Sequence, residues 1–185
     1  MGAVIHLSAE ELEAGLAEIR RSPRTEGRLA MLVRRPRTEE REILERGVLD
    51  IELGLVGDNW QARGSSSTED GTAHPEMQLN LMNARAIDLI TGDKGRWHLA
   101  GDQLFVDLDL SGENLPPGTR LAIGTAVIEV TAVPHTGCKK FTARFGLDAM
   151  KFVNSPVGRE LNLRGINAKV VQGGTIAAGD IISKL

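Results

Sequence analysis

The sequence predicts a mainly β domain with a few helices, closed into a barrel, and three observations carry that reading. From Leu99 to Val133 the pattern turns strongly β. Leu104 to Val106, Arg120 to Ile123 and Ala126 to Val133 are short apolar and β-branched runs, punctuated by Gly101, Gly112, Pro116-Pro117-Gly118 and Gly124. The chain holds 21 glycines, no tyrosine and an aromatic share of 3%, so it should turn often around a core of Val, Ile and Leu. Its 185 residues, 41% hydrophobic and 25% charged, suit one domain that buries a real core without disulfides or metal clips. Closing the strands into a barrel pairs their edges.

The remaining elements follow in chain order. A helix is expected from about Ser8 to Arg21, because Ser8 with Glu11 forms a capping-box pattern and Leu12, Leu16 and Ile19 share a face. Leu29 to Val33 reads as a strand that stops at Pro36. Thr38, followed by Glu39 and Glu40, signals a second helix with Ile43 and Leu44 facing inward. The polar stretch from Gly64 to Thr72 reads as a surface loop and a candidate lid. Met77 to Met82 alternates apolar and polar residues like a half-buried strand, and Asn83 suits the N-cap of a short helix through Ile90. Residues 134–163 are less regular, with one helix near Pro156 to Leu161, capped by Ser155 and entered through Pro156. Ile166 to Val171 and Asp180 to Ile182 close the chain as strands around the Gly173-Gly174 turn.

Composition excludes several functions. A net charge of -3 and a pI near 5.8 give no global pull toward nucleic acid, and stacking on bases has almost no aromatic rings to use. No apolar run approaches the ~18 residues of a membrane span. The start carries no secretory signal, and His6 stands where myristoylation after Met1-Gly2 wants Ser or Thr. The expected location is the cytoplasm. A single cysteine, Cys138, excludes an internal disulfide and any Cys-rich zinc or iron–sulfur site, and fits a reducing compartment.

Charge is unevenly spread. Residues 134–170 hold seven Lys/Arg against two Asp/Glu, whereas residues 1–58 hold nine against twelve. Cys138 lies inside that basic segment, in VPHTGCKKFTARFG. His135, Lys139, Lys140 and Arg144 are near it in sequence, and each favours thiolate over thiol. A thiolate is a soft ligand suited to soft metals and to sulfur transfer. The alternative is a buried structural cysteine, which the polar context GCKK argues against. His135-x-x-Cys138 is half a zinc spacing with no second half. His74 reads as a surface imidazole first and a lid residue second. Ser65, Ser66 and Ser67 form no nucleophile elbow, and neither a P-loop nor G-x-G-x-x-G occurs. The pairs Gly57-Asp58, Gly101-Asp102 and Gly179-Asp180 read as turn punctuation. Arg164, before Gly165, is either a guanidinium fork for a phosphate or carboxylate, or an ordinary turn cation.

Taken in order, GLVGDNW (Gly54 to Trp60), GDQLFVDLDLSGENLPPGTRLAIGTAVIEVT (Gly101 to Thr131), HTGC (His135 to Cys138) and RGINAKVVQGGTIAAGD (Arg164 to Asp180) resemble the MOSC domain. That module is named after the C-terminal part of molybdenum-cofactor sulfurase. The resemblance runs from about Arg28 to Asp180. It divides the chain into a helical N-terminal extension, 1–27, and a MOSC domain of the standalone bacterial type, 28–185. It implies a barrel-like fold in which the cysteine matching Cys138 acts, either carrying sulfur as a persulfide or ligating the molybdenum of a bound pterin cofactor (molybdopterin). It further implies that His135, Lys139, Lys140, Arg144 and Arg164 surround an anionic pterin phosphate. Fused relatives carry a PLP-dependent desulfurase domain for which this chain has no room, so PLP enters only through a partner desulfurase. Related members reduce N-hydroxylated bases, which would require an electron-donor protein. The branch acting on N-hydroxylated purines has a His-Gly-Gly stretch, and GTAHPEMQ offers His74 without the paired glycines.

Overall fold

The barrel closes between the first long strand and the last. The computed structural model describes residues 6–185, so Met1–Ile5, with the Met1-Gly2 pair, lie outside the described residues. Two short helices, α1 (Ala9–Ala14) and α2 (Leu16–Arg20), replace the single helix expected, with the break at Gly15. The capping box is present: Glu11 N–H donates to Ser8 Oγ, and Ser8 N–H donates to the Glu11 carboxylate. β1 (Glu26–Arg34) follows, then β2 (Glu42–Leu44), β3 (Arg46–Asp50), β4 (Gly54–Leu55) and α3 (Trp60–Arg63). A 3-10 turn at Pro75–Met77 leads into β5 (Leu79–Asn83), α4 (Ala84–Thr91), a 3-10 segment at Lys94–Ala100 and β6 (Leu104–Asp107). The C-terminal half comprises β7 (Arg120–Ile123), β8 (Ala126–Pro134), α5 (Lys139–Phe145), α6 (Leu147–Asn154), α7 (Pro156–Glu160), β9 (Ile166–Gln172), β10 (Gly174–Ala177) and β11 (Ile181–Lys184).

Seven strands run in the order β1, β11, β7, β8, β9, β5, β6 and return to β1, with only β5 and β6 parallel. No edge is left open in that ring, as the strand pattern predicts. β2 pairs with the far end of β1, and a small sheet β10–β3–β4 lies beside the barrel.

Strand alternation sorts the core into two layers. Leu29, Leu32, Leu81, Leu104, Val106, Leu121, Ile128, Ala168 and Ile182 belong to an aliphatic cluster at the heart of the barrel. Met31, Val33, Met82 and Phe105 belong instead to the cluster that the helices cover, with Leu12, Ile87, Trp97, Phe141, Phe145 and Phe152. All four phenylalanines lie in this second layer and none in the first. The expected Val/Ile/Leu core is therefore the barrel's, while the aromatics fix helices onto it. Burying each such side chain contributes about 1.5–3 kcal/mol.

Three local expectations need correction. Thr38-Glu39-Glu40 has the composition of a helix start, yet the chain turns there and Glu42–Leu44 pairs with Leu32–Arg34. Leu44 reaches the barrel core but Ile43 is 57% exposed, and Arg46–Asp50 is taken up by pairing with β10 and β4, so no helix can grow. β5 is buried at all five positions rather than on one face, because helices cover the outside of the barrel there. Residues 134–163 form three helices, not one, and β10 adds a strand after Gly173. Asn83 and Ser155 cap α4 and α7 as read, accepting from Ala86 N–H and Gly158 N–H.

Candidate functional site

One end of the barrel opens into a cleft of roughly 230 Å³. Its walls come from the loop after β1 (Arg35 to Arg41), from α3 (Arg63), from Ala100-Gly101, from the His135–Cys138 loop with α5, and from Arg164. Seven cations and a single carboxylate line it.

The floor is a set of buried charge pairs. Arg35 donates from Nε and Nη2 to the two carboxylate oxygens of Asp58, at 2.9 and 2.8 Å. Its Nη1 donates to Asn80 Oδ1 and to the Gly101 carbonyl, both at 3.0 Å. Asn80 in turn donates to Asn167 Oδ1 across the paired strands β5 and β9. Arg164 donates from Nη1 to Asp102 at 2.7 Å and from Nη2 to the Ala100 carbonyl at 3.0 Å, with Phe141 stacked on its guanidinium. The fork read at Arg164 thus holds a carboxylate of this chain, and its Nε is buried without a partner. Gly165 is required after it: φ is +113°, and a Cβ would come within 2.2 Å of the Leu81 carbonyl oxygen.

His135 lies against the same floor. Its side chain is 17% exposed, and Nδ1 is 3.5 Å from Asp102 Oδ1 without a hydrogen bond. Burial, followed by the charges of Arg164 and Arg35, holds the imidazole well below its ordinary value, so it is neutral near pH 7. Burial pushes the Asp102 carboxyl up, and Arg164 opposes that shift.

The walls differ from the floor. Arg41 and Arg63 have no carboxylate partner among the described residues, and Arg41 Nε is buried unpaired. Burial lowers both guanidinium values first. Arg144 and Arg35 add to the effect on Arg41, and Arg35 adds to that on Arg63. At the rim Lys140 and Arg144 share Glu39, at 2.8 and 2.6 Å.

Cys138 is exposed, lines the cleft and stands at the N-cap of α5. Asn154, the last residue of α6, fixes its loop: Gly137 N–H donates to Asn154 Oδ1 at 2.9 Å, and Asn154 Nδ2 donates back to the Gly137 carbonyl at 3.2 Å.

Of the residues singled out in sequence, the structure brings Cys138, His135, Lys140, Arg144 and Arg164 to one cleft, and Lys139 is not among its lining. His74 caps the 3-10 turn by accepting from Glu76 N–H, and neither it nor residues 64–72 line the cleft. Sequence reasoning missed Arg35, Arg37, Arg41, Arg63 and Asn80. The arginine run RRPRTEER (34–41) was visible, but the summed charge of residues 1–58 hid it. Gly57-Asp58 and Gly101-Asp102 are turns with φ of +84° and +89°, as read, and their aspartates also carry the buried pairs.

A closed seven-stranded barrel with a cationic, thiol-bearing cleft at one end defines the class of protein. The chain belongs to the MOSC domain family, whose model matches residues 69–183. No curated protein matches it. Solved structures share the fold: the YUAD protein of Bacillus subtilis is 15% identical, with TM-score 0.59 over 85% of this chain and 94% of its own. YiiM from Escherichia coli is 19% identical, with TM-score 0.53 over 85% of this chain and 69% of its own. YiiM from Geobacillus stearothermophilus is 12% identical, with TM-score 0.55 over 86% and 75%. Among the described residues no helix is long and apolar enough to cross a membrane.

Proposed function

We propose that the cleft binds a phosphate-bearing molybdenum–pterin cofactor and that Cys138 is the protein's sulfur donor toward it, for sulfur handling or for reduction of N-hydroxylated compounds. One observation carries the reading: the chain's lone cysteine opens into a cleft with seven cations against one carboxylate. The residues fit such a group. No cluster of three His, Cys, Asp or Glu able to hold a bare metal ion occurs among the described residues. A metal arriving with its own ligand set needs only one soft protein donor, which Cys138 supplies. Arg41 and Arg63 are the cations free to take a phosphate, with Lys140 and Arg144 beside them. When bound, the cofactor would supply two-electron oxo-transfer chemistry.

The chain's own residues set the rest. Arg35 and Arg164, locked by Asp58 and Asp102, form a rigid floor that excludes water from below. Neutral His135 neither adds positive charge nor competes for the anion. Asn154 holds the Gly137 backbone, and with it the position of Cys138 Sγ.

A second reading, a sulfur carrier without metal, is favoured by the exposure of Cys138 to a partner protein. In that reaction the Cys138 thiolate attacks the outer sulfur of a desulfurase persulfide. A new S–S bond forms, and the donor leaves as its thiolate. The test is the metal and pterin content of protein purified from cells supplied with cofactor, beside Cys138→Ser. Near-equimolar molybdenum lost in the variant supports the first reading. Protein without metal that accepts persulfide label at Cys138 supports the second. A serine variant retaining full metal and sulfur loading sinks both.

A further inference from the structure

Glu39 is out of keeping with its surroundings, being the single carboxylate among the residues that line the cleft. Both its oxygens are turned inward onto α5: Oε1 accepts from Lys140 Nζ at 2.8 Å, and Oε2 accepts from Arg144 Nη2 at 2.6 Å. Its backbone lies in the left-handed region, at φ +65°, which non-glycine residues with long side chains seldom adopt. Contacts must therefore hold it there, and the contacts at hand are these two ion pairs. On its N-terminal side the loop is tied down by Arg35, through Asp58, and on its C-terminal side by the pairing of Glu42 with Arg34. The strained residue is thus aimed at two cations of the helix that Cys138 caps.

The pairs are of a kind that can be exchanged. Glu39 and Lys140 side chains are 57% and 66% exposed, so water and salt screen their attraction. The hydrogen bond from Lys140 and the charge of Arg144 hold the Glu39 carboxyl below its usual range, which keeps it anionic near neutrality. A phosphate offers the same two donors more charge and a further acceptor oxygen. Arg41 and Arg63 make no ion pair with a carboxylate among the described residues, although Arg41 feels the charges of Arg144 and Glu39, so Glu39 pairs with only two of the cleft's cations.

We propose that Glu39 is an internal counter-ion: it occupies the Lys140–Arg144 subsite in the ligand-free protein and yields it to an anionic group of the ligand, so that the cleft favours phosphates over weaker anions. The proposal rests on reading the cleft as an anion site. It adds a residue that sets affinity by competition rather than by contact with the ligand.

Calorimetric titration of the full chain with inorganic phosphate, at fixed ionic strength, tests it. Glu39→Gln keeps the side-chain shape and removes the charge, and it should bind phosphate about three- to tenfold more tightly than the wild type. Glu40→Gln, which removes the same charge one residue away from a side chain that touches neither Lys140 nor Arg144, should change affinity less than about twofold. Unchanged or weaker binding by Glu39→Gln overturns the proposal, because the carboxylate would then be positioning the cations instead of competing for them. Equal tightening in both variants also overturns it, in favour of a general charge effect. Absence of phosphate binding in the wild type and in Glu39→Gln alike removes the anion site itself, and the counter-ion with it.

Discussion

Two kinds of arginine line one cleft, and they do opposite work. Arg35 and Arg164 on the floor are buried, each with an aspartate and a backbone carbonyl. Arg41 and Arg63 on the wall have no carboxylate partner among the described residues; Arg41 is half-buried and Arg63 is exposed. The floor pairs cancel their own charge and hold the barrel mouth in shape. The wall arginines each feel the charge of Arg35 below them, and so leave positive potential for a ligand. Residue type alone does not separate the two; the aspartate beneath does.

Removing that aspartate should have the largest effect. Asp58→Asn strands Arg35 in the interior and is expected to cost about 3–5 kcal/mol in urea unfolding, with partial recovery when Arg35 is also made methionine. A loss near zero would mean that Arg35 reaches solvent, and the division between floor and wall would collapse. Arg63→Ala should behave in the reverse sense. Stability should hold within about 0.5 kcal/mol, while affinity for inorganic phosphate falls roughly tenfold. A marked loss of stability would place Arg63 with the floor.

The neutral His135 beside the floor sharpens the comparison through pH. Its value lies below the ordinary 6.5, so the unfolded chain takes up a proton that the folded protein refuses. This contribution to stability is complete above about 6.5 and is lost as pH falls below it, by at most about 1.4 kcal/mol per pH unit. Asp102 shifts upward and acts in the opposite sense. The difference between wild type and His135→Asn, followed by urea unfolding from about pH 7.5 to 5, therefore isolates the imidazole. Parallel curves would show that His135 takes up its proton equally in the folded and unfolded chain, and the lowering would be refuted. Arg37 at the rim should matter least. It is 81% exposed, with Glu40 at 3.8 Å, and Arg37→Ala should weaken phosphate by about twofold or less.

What the sequence revealed follows the same division between local and distant causes. β7 and β8, the caps at Asn83 and Ser155, and the capping box at Ser8 were readable because each rests on neighbours a few residues away. The nearness of His135, Lys140 and Arg144 to Cys138 in the chain was also plain, but not that they would line one cleft. The misread helix at Thr38 had correct local chemistry, overruled by pairing with β1. Arg35 with Asp58, and Arg164 with Asp102, could not be read. Each joins residues far apart in the chain, and a Gly-Asp turn looks the same whether its carboxylate faces water or a buried guanidinium.

The ring of strands has a consequence for the order of assembly. β11 sits between β1 and β7, so Ile181–Lys184 complete a barrel whose first strand begins at Glu26. During synthesis β1 must wait, one edge unpaired, until nearly the whole domain has left the ribosome. Joining such distant segments carries a large loop-closure entropy and slows folding. An exposed edge in that interval is open to wrong partners.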